Sequence, residues 1–476
     1  SYGINKKKGV PLCTFFLLYP YIEMKSFRSY SIHYPYLLRT GIPIMVGQLG
    51  TIVMGFADTI MVGWYGTEEL AAAGFVNNIL ALAFIAAMGF SYGLTPIVSS
   101  LHGEGKNHLI AQKLKNSLLA NNILSLLFMA GLALLYLNLH RIGLPEELLP
   151  LMRPYFAVIT VSILPQMAFN AFKQFSDGIQ DTRMPMWIML ISNVLNIILN
   201  WLLIFGKFGF PEWGLMGAGV ATLASRIFQW AAISLTFHLT SRYGEHPQYF
   251  KKASPNIAGL KEVSQMGWPI ALQMGMESAS FNLSAIYIGW LGTIALAANQ
   301  IMITIGQLCF MLYYGMAAAV AVLVSYYRGA GQTEQTRHVA VAGLHLTWGI
   351  GILVCIPIFL LRHQLGYWFT DSAEVAQLIS ILVYPLLVYQ FGDGLQCIYS
   401  NALRGMADVR PMVWIAFVAY FLISLPLGYI FGFVCNWQMT GIWLAYPFGL
   451  TSAGLMYYLR FIHTHKKLQK SIHYGT

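Results

Sequence analysis

The chain has 476 residues, of which 57% are hydrophobic and only 10% charged. Soluble domains carry about 25% charged residues, so this composition excludes an ordinary soluble domain and predicts an all-α polytopic membrane protein. The net charge of +10 does not indicate nucleic acid, because the basic residues sit in the breaks between apolar runs, where they mark topology in a lipid bilayer.

The chain opens with "INKKKGVPLCTFFLLYPYIEMKSF", a lysine cluster followed by an apolar run from Val10 to Ile22. That run is too short to span a hydrocarbon core of about 30 Å, and no small-residue cleavage site follows it. Residues 1–24 therefore read as an uncertain extension, an artefact of start-codon choice with Met24 as the natural start. Removal of residues 1–23 is expected to leave insertion and transport intact.

Twelve spanning helices are predicted next, at 38–64, 69–99, 114–138, 150–175, 184–206, 214–240, 264–291, 295–327, 338–361, 375–402, 411–433 and 440–462. Backbone groups in lipid must be satisfied within helices or closed barrels, and these runs are too long for barrel strands. Lys25, Arg28 and Arg39 precede the first helix. The even breaks hold Lys106, Lys113, Lys115, Arg183, Lys251, Lys252, Lys261, Arg328, Arg337, Arg404 and Arg410. The first odd break carries Glu68 and Glu69 instead. This bias predicts cytoplasmic termini and cytoplasmic even breaks.

An internal repeat divides the chain. "GIPIMVGQLGTIVMGFADTIMVGWYGTEELAAAG" (41–74) aligns with "GWPIALQMGMESASFNLSAIYIGWLGTIALAANQ" (267–300), and eleven of 34 positions match without a gap. At the same offset "HGEG", ending at Gly105, meets "RGAG", ending at Gly331; one residue further on, Asp181, Arg183 and Trp187 meet Asp408, Arg410 and Trp414. The reading is an N-terminal lobe at 25–240, a cytoplasmic linker at 241–262, a C-terminal lobe at 263–465 and a basic tail at 466–476. Six helices per half give both halves the same orientation, and parallel repeats of this kind place substrate between them.

Polar groups in the apolar helices carry the function, since a carboxylate at mid-bilayer costs about 2.5–3.5 kcal/mol. Glu277 lies ~24 Å along its helix from Lys261, and Asp393 ~17 Å from Arg404. Tyr389 precedes Asp393 by one helical turn and shares its face. Two carboxylates and a phenol offer oxygen ligands to a hard cation or share a proton as a coupled pair; a structural carboxylate satisfied by backbone or serine is the bland alternative. In the first half Asp58, Asn196, Asn200 and Thr222 fall at ~28, ~20, ~25 and ~30 Å from their inner anchors. The asparagines serve equally well as interhelical glue. Arg226, one turn after Thr222, either snorkels outward or pairs with Asp58. Asp177, Asp181 and Asp408, at helix ends, suit caps or loop salt bridges, and His345 reads as a packed histidine.

The stretches "GFADTIMVG", "NVLNIILNWLLIFGKFG", "GAGVAT", "YQFGDGLQ" and "NALRGMADVR" resemble the multidrug and toxic compound extrusion (MATE) family, in particular its NorM-like branch. The resemblance implies a twelve-helix, two-lobed secondary antiporter of the bacterial cytoplasmic membrane. It implies export of cationic amphiphiles against Na+ or H+, with a cation site at Glu277, Asp393 and Tyr389 and an N-lobe polar cluster around Asp58. Arg226 departs from the family pattern. No resident cofactor is expected beyond the coupling ion, with Na+ at Glu277 and Asp393 slightly favoured, and the chain is expected to act as a monomer. A flippase for lipid-linked saccharides is the rival reading, although the deep charges here are chiefly acidic. A channel is disfavoured because the acids sit at non-equivalent repeat positions, Asp58 opposite Ser284 and Glu277 opposite Thr51. Five scattered cysteines without a CxxC pair, and the lack of HExxH, Walker A or GxSxG motifs, leave nothing for an enzyme to use.

Overall fold

The structure, a computed structural model, describes residues 28–139 and 146–473, so the expectations for the first 24 residues lie outside the described residues. Among the described residues the chain forms twelve long helical segments. In the first half these are α1 (Tyr34–Tyr65), α2 (Thr67–Gly103), α3 (Asn107–Leu137), α4 (Leu149–Gly178), α5 (Arg183–Ile204) and α6 (Leu215–Leu239). In the second half they are α7 (Ile257–Gly289), α8 (Thr293–Gly329), α9 (Thr333–Leu360), α10 (Ala373–Gly405), α11 (Arg410–Val434) and α12 (Gln438–His473). Ten are both long and apolar enough to cross a membrane; α7 and α12 are long but more polar. Leu, Ile, Val, Ala and Met fill these stretches, and uninterrupted apolar sequence in lipid leaves the helix as the form that pairs every backbone group.

Several boundaries differ from the sequence reading: α3 begins at Asn107 and α9 at Thr333, seven and five residues earlier than predicted, and α7 and α12 differ as well. α7 begins at Ile257 because Asn256 caps it, its Oδ1 accepting from Gly259 N at 2.7 Å, which draws the end of the linker into the helix. α12 runs on to His473, so most of the basic stretch at 466–476 continues a helix. The linker also holds a short helix, His246–Lys252, fastened to α3 by Lys115 Nζ donating to the carbonyls of Phe250 and Ala253 at 3.0 and 2.8 Å.

The repeat is written into the backbone. α2 and α8 coincide at both ends after a shift of 226 residues, and α3 and α9 begin at that same shift. Gly105 and Gly331 occupy the left-handed region at φ 72° and 73°, where glycine alone carries no side-chain penalty. Each follows its helix into the same closure: Lys106 N donates to Leu101 O, and Gln332 N to Tyr327 O, at 3.0 and 2.9 Å. This wide bond is the Schellman form of helix end. The α4–α5 and α10–α11 turns repeat it, with Asp181 N on Ser176 O and Asp408 N on Leu403 O.

The lobes meet where α2 crosses α8, at the end that carries the basic breaks. Ser99 Oγ donates to Val322 O at 2.7 Å, and Ser325 Oγ donates to Pro96 O at 2.6 Å. The two bonds exchange under the repeat. A Cβ on Gly103 would collide with the Tyr326 carbonyl, and one on Gly329 with that of Ser100, so both glycines are required by close backbone approach. α1 against α8 and α2 against α7 extend this contact through Gly41, Gly315, Gly89 and Gly267.

Two ion pairs on the repeat-related aspartates close the same end. Arg242 donates to Asp181 through Nε and Nη2 at 2.5 and 2.6 Å; Arg460 donates to Asp408 through Nε and Nη2 at 2.6 and 3.1 Å. Asp177 instead forms a buried pair with Lys173 at 2.7 Å within α4. Burial alone would raise the Asp408 carboxyl, but hydrogen bonds from Arg460 and Thr464 outweigh it and hold the group below its ordinary value. A lowered carboxylate stabilises the fold above its unfolded value and ceases to do so as pH falls through the folded one. Asp408→Asn should therefore be less stable than wild type at neutral pH, and the gap should close below about pH 4; thermal melts in detergent across pH check this. In a cysteine-free background, Ser99→Cys should resist a membrane-impermeant maleimide, and adding Gly329→Val should expose it. Equal labelling in both would show that the crossing does not hold the lobes together.

Candidate functional site

In the C-lobe, α7, α10 and α11 bring an acid and five polar residues into one hydrogen-bonded network. Glu277 accepts from Gln273 Nε2, one turn earlier on α7, at 3.0 Å, and from Gln396 Nε2 on α10 at 3.2 Å. Gln396 Nε2 also donates to the Tyr420 hydroxyl at 2.8 Å. Tyr420 stands in a π-helical stretch of α11, Phe417–Ser424, and such widened turns recur at functional sites. Gln273 Oε1 accepts from Arg404 Nη2 at 2.8 Å, while Arg404 Nη1 donates to Asn401 Oδ1 at 3.3 Å.

Arg404 stands one residue before the end of α10, at the break where the sequence places it, but it is 5% exposed and its guanidinium turns inward to amide oxygens on α7 and α10.

Asp393 is 1% exposed, and both carboxylate oxygens are buried without a hydrogen-bond partner. Glu277 is a like charge within Coulombic reach. Tyr389, one turn before it, is also buried, with its ring 6.5 Å from that of Phe281. Gln390 accepts from the Tyr313 hydroxyl at 2.6 Å. Glu277, Asp393 and Tyr389 therefore share one neighbourhood without direct hydrogen bonds among them. Among the described residues no group of three or more His, Cys, Asp or Glu side chains could hold a metal ion. The donors here are carboxylate, amide and phenol oxygens, which suit a proton or a hard monovalent cation.

In the N-lobe, Asp58 on α1 accepts from Asn200 Nδ2 on α5 at 2.5 Å, and the same Nδ2 reaches Asn196 Oδ1 at 3.2 Å. Both asparagines are fully buried, yet Asn196 Nδ2 and Asn200 Oδ1 have no protein partner. The structure thus joins three of the four predicted polar residues and leaves Thr222 aside. Its hydroxyl donates to Ala218 O at 3.0 Å, the local back-bond open to any helical threonine. Arg226 neither snorkels outward nor pairs with Asp58. Its Nη1 donates to Ser162 Oγ at 2.6 Å, and its guanidinium lies 4.5 Å from the Phe84 ring centroid. Ser162 sits at the joint between the two helical parts of α4, Leu149–Val161 and Ile163–Gly178. Tyr155 on α4 donates to Asn77 on α2 at 3.2 Å.

Sequence reasoning missed Gln273, Gln396, Tyr420, Asn77, Tyr155 and Ser162. Gln273 and Gln396 carried a signal, standing four before Glu277 and three after Asp393 on the same helical faces. Asn77 carried the same signal as Asn196, an amide in an apolar helix; Tyr420, Tyr155 and Ser162 carried none, since a tyrosine or serine in an apolar helix is unremarkable. His345 is packed as expected, its Nδ1 within 3.1 Å of the Tyr34 hydroxyl.

The MatE family model matches residues 43–202 and 269–430, one stretch in each lobe. The multidrug resistance protein NorM of Photobacterium profundum is 29% identical over 437 residues, covering 89% of this chain and 94% of that one. An outward-facing structure of a multidrug resistance MATE family transporter of the MOP superfamily superposes with TM-score 0.83 at 21% identity, covering 91% of this chain and 96% of the other. A MOP superfamily transporter from Pyrococcus furiosus, described as having a binding pocket of reversed polarity, gives TM-score 0.81 at 21% identity with the same coverage.

Two arginines that look alike in the sequence should now behave differently. Arg404→Met leaves the buried Gln273 oxygen without its donor and should lower stability by about 2 kcal/mol. Arg410→Met, at an exposed helix start, should stay within about 0.5 kcal/mol of wild type. Denaturation of the two purified variants decides this.

Proposed function

This chain belongs to the MatE family, and on that premise we propose that it is a secondary active multidrug exporter that moves cationic amphiphiles out of the cell in exchange for Na+ or H+. The observation that carries the coupling is Asp393. A carboxylate so completely buried, with no donor to either oxygen, cannot persist as a bare anion in an apolar interior. It is satisfied by a proton or by a cation, and Glu277 beside it makes a second negative charge harder still to hold alone. The site therefore takes up one positive charge in whichever state opens it to the source of the ion, and gives it up in the other.

Alternating access then follows from the two lobes. Ion uptake at Glu277 and Asp393 relieves like-charge repulsion and favours one packing of α7, α10 and α11; substrate in the N-lobe cluster favours the other. A ligand shifts such an equilibrium only by its difference in affinity between the two states. Membrane potential adds about 2.3 kcal/mol per charge per 100 mV. The acid at Asp58, half-buried in an otherwise apolar helix, supports recognition of lipophilic cations by charge. The protein acts as a monomer in the bacterial cytoplasmic membrane. Both termini face the cytoplasm, where the basic breaks belong.

Everted vesicles with an imposed Na+ or H+ gradient test this reading. Wild type should accumulate an organic cation under one of the two gradients, and Asp393→Asn and Glu277→Gln should each abolish gradient-driven accumulation while folding normally. Wild-type rates in either folded variant would remove these acids from the coupling site. No gradient-driven movement by wild type would overturn the exporter reading.

A further inference from the structure

A cavity of about 460 Å³ lies at the end that carries the basic breaks, away from both acid clusters. That volume falls in the range of small-molecule sites. Both lobes wall it. Ile97 and Leu101 on α2 face Met266 on α7 and Val409 at the α10–α11 turn, and these four form its apolar side.

Five charged side chains complete the lining. Three are carboxylates, and each already has a cation of its own. Glu104 pairs with Lys106 at 2.8 Å, Glu262 pairs with Lys113, and Asp408 pairs with Arg460 at 2.6 Å. The other two are Arg328, where α8 ends, and Arg410, where α11 begins. Among the described residues neither arginine has an ion pair. Glu104 lies within Coulombic reach of Arg328 but is taken by Lys106. The charge left over in the cavity is therefore that of two guanidiniums. The repeat does not supply this pair twice, because the shift of 226 residues sets His102 opposite Arg328.

Guanidinium forks match phosphate oxygens in geometry as well as charge. A phosphate monoester carries a charge of about −1.5 to −2 at neutral pH, which is what two arginines balance; a carboxylate balances only one. We propose that this cavity binds a phosphate monoester, with the phosphate between Arg328 and Arg410 and the organic body against Ile97, Leu101 and Met266. A phospholipid headgroup and a soluble phosphate ester present the same chemistry here and differ only in the acyl chains that follow. Either occupant bears on α2 of one lobe and on α7, α8 and α11 of the other at once. The site stands independently of the exporter reading.

The test uses the purified full chain in phosphatidylcholine nanodiscs. Glycerol phosphate is titrated in by calorimetry, and phosphatidic acid, the same phosphate on glycerol with two acyl chains, is offered in the bilayer and counted by native mass spectrometry. At least one of the two should bind wild type. Arg410→Met and Arg328→Gln should each weaken that binding about tenfold or more, the loss expected for one charged hydrogen-bonding partner. Arg183→Met removes the same charge from the exposed repeat mate of Arg410, which does not line the cavity, and should bind as wild type does. If Arg328→Gln fails to fold, the comparison of Arg410→Met with Arg183→Met decides alone. Binding of glycerol phosphate supports the site and identifies a soluble ester as its source; binding of phosphatidic acid alone supports it and identifies a lipid. Binding that is unchanged in Arg410→Met, or that falls equally in Arg183→Met, overturns the inference. So does a wild type that binds neither probe.

Discussion

The architecture depends on one backbone contact, the crossing of α2 and α8. Lipid offers no hydrophobic drive for helices to associate, so small residues and interhelical hydrogen bonds must do it. Gly103 and Gly329 let the two backbones touch, and Ser99 and Ser325 convert that touch into a reciprocal pair of hydrogen bonds. Because the bonds exchange under the 226-residue shift, the crossing lies on the pseudo-symmetry axis. Each half keeps its own helix packing, and around the small residues larger side chains also meet across the crossing, Phe90 against Trp268 and Tyr92 against Tyr314.

Within that symmetric frame the two interiors are chemically different. The C-lobe embeds Glu277 in neutral amides and links them through Gln273 to the buried guanidinium of Arg404. It leaves Asp393 with no donor at all. The N-lobe does the opposite: its acid has a short hydrogen bond from Asn200, and its arginine is turned to serine and an aromatic ring. The two halves share a repeat but differ in a handful of polar residues and in local backbone, with a joint in α4 and widened turns in α11. One lobe buries a carboxylate without a donor, and the other holds a carboxylate and an arginine each on a neutral partner.

Local irregularities sit where the halves differ. Ser162 holds the joint of α4 and receives Arg226; Tyr420 lies in a widened turn of α11 and receives Gln396. Joints and π-turns redirect side chains that a continuous α-helix would aim elsewhere. The regular stretches provide the frame, and the interruptions aim the polar groups.

Much of the fold was legible in the sequence because its signals are local. Apolar length marks spanning helices, lysine and arginine mark breaks, and the 226-residue shift brings Gly105 onto Gly331 and, one residue further on, Asp181 onto Asp408 before any coordinates are known. The acids Asp58, Glu277 and Asp393 were legible for the same reason, since a carboxylate in an apolar run is conspicuous wherever its helix points. What the tertiary structure alone decided is which way side chains turn once helices have packed. Arg404 looks like the basic residues of the breaks, yet it reaches Gln273, 131 residues away. Arg226 had Asp58 as its obvious partner and took Ser162, 64 residues away, instead. Thr222 was placed with Asp58 by depth and closed on its own helix. Depth along a helix follows from counting residues, but rotation about its axis and the reach of a long side chain follow only from the neighbours, and those are set by contacts distant in sequence.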